Sequence, residues 1–63
     1  MSTPDPELSA IATNLDELRR RIEAMARELD REPTDRVAAD LFETERALRA
    51  ASRRLDAARR QLG

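Results

Sequence analysis

The chain has 63 residues, of which 12 are basic and 13 are acidic, so its formal net charge is only −1. Every basic residue is arginine, histidine and cysteine are absent, and a single phenylalanine is the only aromatic residue. The usual zinc sites, thiol nucleophiles and imidazole bases are therefore excluded. A chain of this length forms at most one domain and buries a small share of its surface.

The first residues contain two of the three prolines together with Ser and Thr, which predicts a flexible lead over residues 1–5. They have neither the basic cluster nor the apolar run of a secretory signal. No segment approaches the roughly 18 to 20 apolar residues that span a bilayer. We therefore expect a cytoplasmic protein that does not associate with membranes. The exclusive use of Arg, together with 11 alanines, is typical of a high-GC bacterial genome.

The first helix is predicted over residues 6–31. Asp5 is the expected N-cap, Pro6 occupies the first helical position, and Glu7 lies beside the positive end of the helix dipole. The large apolar side chains then recur with spacings that alternate between three and four residues, which is the heptad pattern of a coiled coil. These residues are Leu8, Ile11, Leu15, Leu18, Ile22, Met25 and Leu29.

Pro33 ends this pattern, because proline lacks a backbone donor and disfavours helical geometry in the residue before it. The turn is predicted over residues 32–34 and the second helix over residues 35–62, with Thr34 as its N-cap. Gly63 is the expected C-terminal cap. A second heptad pattern occupies Val37, Leu41, Thr44, Leu48, Ala51, Leu55, Ala58 and Leu62.

A short turn makes the two helices antiparallel neighbours, so the predicted fold is all-α, a two-helix antiparallel coiled-coil hairpin over residues 6–63. Charge supports this pairing: residues 1–17 carry four acidic and no basic side chains, whereas residues 46–60 carry six arginines and one aspartate. The same fold brings together Arg19, Arg20, Arg21, Glu43 and Glu45. The alternative is an open chain whose helices pair in a domain-swapped assembly.

A lone hairpin leaves one side of each apolar pattern in water, and this chain has no disulfide or metal to stabilise it. We therefore expect a homodimer that forms a four-helix bundle. Alanines at positions 12, 26, 38 and 47 widen the apolar stripe, as a bundle requires. The expected self-association seam consists of Leu8, Ile11, Leu15, Leu18, Ile22, Met25, Leu29, Val37, Leu41, Leu48, Leu55 and Leu62.

Two further features suggest contacts with other molecules. Phe42 lies outside the heptad pattern, and it either packs at the turn end or dimer interface of the bundle or anchors another protein. Arg46, Arg53 and Arg60 recur every seven residues with Arg49 alongside, and such an arginine stripe can contact phosphates. The sequence pI of about 5.4 and the absence of Tyr, Trp and His for stacking on bases argue against nucleic acid.

Carboxylates also recur every seven residues, at Asp16, Glu23 and Asp30, but two thin helices offer no concave site in which they could act in catalysis or bind a metal. Several acidic residues lie four positions before an arginine, the favourable order for pairs on a helix surface. These pairs are Asp16–Arg20, Glu17–Arg21, Glu23–Arg27, Glu45–Arg49 and Asp56–Arg60. We therefore predict no enzymatic activity, no cofactor and no metal.

The sequence thus predicts a small non-enzymatic helical module for protein–protein interaction or regulation, which binds a second copy of itself and also another protein. One alternative is a binder of nucleic acid or of an anionic nucleotide ligand through the arginine stripe. A second alternative is a structural element of an assembly or scaffold. Fold alone does not choose among these functions.

Overall fold

The computed structural model describes residues 4–62, with side chains for residues 6–62. Helix α1 spans Pro4–Leu29 and helix α2 spans Asp35–Leu62. The two helices pack against each other along a rod of 53 × 15 × 10 Å, which confirms the predicted all-α hairpin. Neither helix contains a stretch that is long and apolar enough to cross a bilayer. The prediction for Gly63 lies outside the described residues.

Helix α1 begins two residues earlier than predicted. It includes Pro4 and Asp5, which the sequence analysis assigned to the lead, so Asp5 lies inside the helix and is not its N-cap. Residues 1–3 of the predicted lead lie outside the described residues. Proline has a φ angle close to the helical value, and its missing N–H has no helical partner in a first turn. Pro4 and Pro6 are therefore both compatible with the start of this helix.

Helix α1 also ends two residues earlier than predicted, at Leu29. In a continuing helix the ring of Pro33 would clash with the carbonyl of Leu29, four residues before it. The chain turns over residues 30–34 instead. The N–H of Arg31 donates to the Leu29 carbonyl at 2.7 Å, and the N–H of Thr34 donates to the Arg31 carbonyl at 2.8 Å.

Thr34 connects the ends of the two helices. Its carbonyl accepts the N–H of Ala38 at 3.0 Å, as expected of an N-cap residue. Its hydroxyl, however, lies against the carbonyl oxygens of Leu29 at 2.8 Å and Arg31 at 3.0 Å. The side chain therefore hydrogen-bonds carbonyl groups at the C-terminal end of α1, whereas the sequence analysis predicted only that Thr34 would cap α2.

Replacing this hydroxyl should weaken the turn. We expect Thr34→Val, which keeps the shape of the side chain, to lower the free energy of unfolding by about 1 kcal/mol. Thr13→Val is the matched control, because the Thr13 hydroxyl bonds the Ser9 carbonyl in the exposed part of a helix. The control should change stability by less than about 0.5 kcal/mol. Thermal unfolding followed by circular dichroism measures both, and equal losses would contradict the role of Thr34.

The contact between the helices consists of small and polar side chains flanked by half-buried leucines. Ala26 and Ala38 are fully buried, and Glu45 is 6% exposed. Small side chains allow two helix backbones to approach closely. The half-buried contact positions are Leu8, Ala12, Leu15, Arg19, Ile22 and Leu29 on α1 and Leu41, Leu48, Ser52, Leu55 and Arg59 on α2.

This contact uses only alternate positions of the predicted heptad patterns. Between these positions, the residues of α1 that face α2 are Ala12, Arg19 and Ala26. The large apolar residue immediately before each of them is exposed. The exposed large residues are Ile11, Leu18, Met25, Val37 and Leu62, at 45% to 54%. A single hairpin cannot bury the whole width of the apolar stripe, and the alanine side permits the closer approach.

Candidate interaction surfaces

The hairpin has two different long faces, one on each side of the helix–helix contact. The ionic face is formed by heptad-spaced residues, namely Ser9, Asp16 and Glu23 on α1 and Phe42, Arg49 and Asp56 on α2. One contact joins these two sets directly, because Arg49 lies 3.6 Å from Glu23. A second contact reaches the same face, because Arg59, three residues after Asp56, donates to the Ser9 hydroxyl at 3.3 Å. In a heptad pattern, the remaining surface residues of α1 and α2 next to the helix–helix contact then lie together on the second long face of the hairpin.

Arg19 is the centre of an ion network on the ionic face. Its guanidinium lies 2.7 Å from a carboxylate oxygen of Glu45 and 3.1 Å from one of Asp16. Arg49 extends the network, at 2.8 Å from Glu45 and 3.6 Å from Glu23. We call these five residues the central ion network. The predicted approach of Arg19 to Glu45 is confirmed.

The central ion network shifts the titration of its members. Hydrogen bonding from Arg19 holds the pKa of Glu45 below its ordinary value of 4.5, and Arg49 acts in the same direction. Arg19 also holds the pKa of Asp16 below its ordinary value of 3.8. In return, Glu45 and then Asp16 raise the pKa of Arg19. Both carboxylates therefore stay ionised, and Arg19 stays charged, at neutral pH.

These shifts predict a loss of stability in acid. Because the folded-state pKa values of Glu45 and Asp16 are lowered, the unfolded chain takes up protons first as the pH falls. The stabilisation is complete above the ordinary values of 4.5 and 3.8 and is lost as the pH falls through the folded-state values. The melting temperature should therefore be lower at about pH 3 than at about pH 7.

Glu45→Gln should have a lower melting temperature than the native chain at neutral pH and a smaller further loss in acid. Glu43→Gln is the control, because the Glu43 side chain is 69% exposed and, among the described residues, pairs only with Arg46 of its own helix. This control should keep the acid loss of the native chain. An equal acid loss in Glu45→Gln would show that the central ion network does not cause it.

The predicted pairs along the helix surfaces are confirmed in three of five cases. Asp16 pairs with Arg20, Glu23 with Arg27 at 3.3 Å, and Glu45 with Arg49 at 2.8 Å. Asp56 pairs with Arg59 at 3.4 Å, and the ion pairs between described residues include neither Asp56–Arg60 nor Glu17–Arg21. Glu43 pairs with Arg46, so its predicted approach to the first helix is wrong.

The arginine stripe is partly occupied by carboxylates. Arg46 lies 2.8 Å from Glu43, and Arg49 belongs to the central ion network. Arg53 and Arg60 are exposed, and the ion pairs between described residues do not include them. Half of the predicted anion contacts therefore already have a carboxylate partner, which reduces the positive charge available to a phosphate.

Phe42 is half-buried and occupies the same heptad position as Arg49 and Asp56. It therefore lies on the ionic face, away from the exposed Ile11, Leu18 and Met25. A dimer formed through that apolar side would not include Phe42 in its interface. Its role as an anchor for another protein stays a prediction.

A groove of about 340 Å³ opens on the ionic face. The Ser52 hydroxyl and the Arg59 Nε are buried there without a hydrogen-bond partner among the described residues. Two carboxylates face one guanidinium, so the groove lacks the positive charge that favours an anion. Among the described residues, no group of three or more acidic side chains is arranged to hold a metal ion. The lining consists of Ala12, Thr13, Asp16, Ser52, Asp56 and Arg59.

The second surface, the apolar face, carries the residues of the two predicted heptad patterns. Its α1 edge is formed by Ile11, Leu18 and Met25, all exposed. Its middle holds half-buried leucines and Ile22, and a shallow depression lies between Leu18 and Met25. Its α2 edge consists of Val37, Thr44, Ala51 and Ala58, and the exposed Leu62 continues the middle row of leucines at the end of α2.

The accessible surface of the hairpin is large for its mass. It measures 5158 Å², whereas a compact monomer of 7.2 kDa exposes about 4100 Å². The excess of about 1000 Å² belongs to the whole elongated hairpin, and a standard protein interface takes roughly 800 Å² from each partner. A hairpin of this shape therefore has enough uncovered surface for such an interface. Comparison of the chain with protein-family models, curated proteins and solved structures gives no match.

Proposed function

We propose that the protein is a small non-enzymatic helical module that self-associates through its apolar face into a four-helix bundle and acts in protein–protein interaction or regulation. The observation that carries this proposal is the exposure of five large apolar side chains, at 45% to 54%, on a hairpin whose ionic contacts lie on the opposite side. Exposed apolar surface of this kind marks interaction sites. We place the module in the cytoplasm, in line with the sequence expectation.

The limited core of the single hairpin supports this proposal. Among the described residues, the fully buried side chains are those of Ala26 and Ala38, and no large side chain is fully buried. A second hairpin laid on the apolar face would cover the half-buried leucines and the exposed edge residues together. The bundle core would then contain the predicted self-association seam, which is the usual core of a four-helix bundle.

The two faces would then have different roles. The apolar face supplies the free energy of self-association, because burial of apolar surface is the main favourable contribution to assembly. The ionic face stays at the surface of the dimer, where Phe42 and the exposed arginines are available to another protein. Charges at such a surface influence partner choice and association rate more than affinity.

Sedimentation equilibrium of the native chain tests the proposal. From about 1 to about 100 µM we expect the mass to approach twice 7.2 kDa, and the melting temperature to rise with concentration because association stabilises the folded chain. A monomer of 7.2 kDa that unfolds cooperatively and independently of concentration over this range would contradict self-association. Circular dichroism of the same samples reports whether the chain is helical at each concentration.

A further inference from the structure

Resting on the proposed self-association, we infer that the two hairpins of the dimer place their turns at the same end of the bundle. In this arrangement a two-fold axis runs parallel to the helices, and α1 of each subunit packs on α2 of the other. The partner is a second copy of this chain. The inference follows from the unequal sizes of the residues at the two edges of the apolar face.

The α1 edge of the apolar face is bulky and the α2 edge is small. Ile11, Leu18 and Met25 project from α1 at 45% to 54% exposure. The corresponding heptad positions of α2 hold Thr44, Ala51 and Ala58. Helices pack well when large side chains of one helix fill the spaces over small side chains of the other.

The contacts within the hairpin fix which residues of α1 and α2 lie at the same level along the rod. Arg19 reaches Glu45 at 2.7 Å, and Ser9 reaches Arg59 at 3.3 Å. These two contacts place Leu18 level with a position between Arg46 and Ala50 of α2. By the heptad spacing, Ile11 is then level with a position between Arg53 and Ala57, and Met25 with a position between Ala39 and Glu43.

A two-fold axis parallel to the helices leaves these levels unchanged. Leu18 of one subunit therefore meets α2 of the other at a level between Thr44 and Ala51. In the same way Ile11 falls between Ala51 and Ala58, and Met25 falls between Val37 and Thr44. Each bulky side chain thus enters a gap bordered by small or β-branched residues, which is knobs-into-holes packing.

The opposite arrangement, with the turns at different ends, lacks this fit. It pairs α1 with α1, so that Leu18 and its neighbours face other bulky side chains. It also pairs α2 with α2, so that small side chains face small side chains across the interface. These residues are Thr44, Ala51 and Ala58. Unfilled space between small side chains forfeits contacts and destabilises a core.

Distances between spin labels distinguish the two arrangements. The sequence has no cysteine, so a single introduced cysteine carries the only label on each chain. Glu32→Cys places the label at the exposed turn, and Glu17→Cys places it at an exposed position midway along α1. Helix axes pack about 8 to 10 Å apart, so turns at the same end should give label distances of about 20 to 30 Å.

The outcomes separate this inference from the proposed function. The Glu17 label should give a short distance in either arrangement and therefore reports only that the dimer exists. A short Glu17 distance with a Glu32 distance near the 53 Å length of the rod would overturn the same-end arrangement while keeping the dimer. The absence of any distance between subunits for both labels would overturn the proposed function as well.

A mixing experiment tests the contact between Leu18 and Ala51 directly. Leu18→Ala leaves two gaps in its own homodimer, and Ala51→Leu introduces two clashes. A same-end heterodimer has two such contacts. In one, the introduced Leu at position 51 faces the introduced Ala at position 18, and in the other the native Leu18 faces the native Ala51. Native mass spectrometry of an equal mixture should therefore show more heterodimer than the half expected by chance. A heterodimer share of half or less would contradict this contact.

Discussion

Met25→Glu is expected to leave the chain monomeric at concentrations where the native chain is a dimer. The Met25 side chain is 54% exposed on the single hairpin, so a charge there costs the monomer little. A dimer formed through the apolar face would bury this carboxylate in both subunits without a partner, which is strongly unfavourable. We expect the dissociation constant to rise at least about 100-fold, equivalent to about 2.7 kcal/mol.

Ala24→Glu is the matched control for this variant. Ala24 is the neighbouring residue, is exposed, and lies on the outer side of α1, away from the apolar face. It introduces the same charge into the same helix, and the dissociation constant should change by less than about threefold. Sedimentation equilibrium measures both variants. A native-like dimer in Met25→Glu, or equal weakening in both variants, would show that the apolar face is not the interface.

Ala38→Leu is expected to cause the largest loss of stability within the hairpin itself. Ala38 is fully buried close to the turn, where the two helices approach each other. A leucine at this position has no space unless the helices separate, and such overpacking costs about 1 to 3 kcal/mol. We expect a loss of about 3 kcal/mol, because separation of the helices also weakens the central ion network.

Ala39→Leu separates this packing effect from a change in helix propensity. Ala39 is the next residue along α2 and is exposed. Alanine and leucine are both strong helix formers, so the control should differ from the native chain by less than about 0.5 kcal/mol. Urea unfolding followed by circular dichroism measures both variants at one protein concentration. Equal stability of the two variants would contradict a close helix contact at Ala38.

Much of the fold could be predicted from the sequence because two strong local signals agree. The apolar residues repeat with helical periodicity on both sides of a proline, and this alone gives two helices and a turn. The end of α1 was less predictable. Pro33 disfavours helix not only at the residue before it but also through the carbonyl of Leu29, four residues earlier. The side-chain bonds of Thr34 then complete the turn.

The face that each helix turns toward its neighbour could not be read from periodicity. The apolar stripe of α1 is wide enough that Ile11 and Ala12 both satisfy the heptad pattern. Which of the two faces α2 depends on the size of the side chain in the packed structure. The sequence did contain one signal, because Arg19 and Glu45 carry opposite charges at the positions that match the buried alanines. Such a pair indicates a contact between the helices, and its 2.7 Å separation places the apolar edge outward.

The Arg19–Glu45 pair also limits the ways in which the two helices can slide along each other. A heptad pattern by itself is degenerate, because a slip of seven residues brings each leucine opposite an equivalent residue one heptad away. In this chain such a slip would place Arg19 opposite Ser52 or Ala38 and leave it without the carboxylate that it now contacts. A polar pair inside an apolar repeat is an established means of fixing register. One ion pair thus selects a single alignment from several that the hydrophobic pattern would tolerate equally.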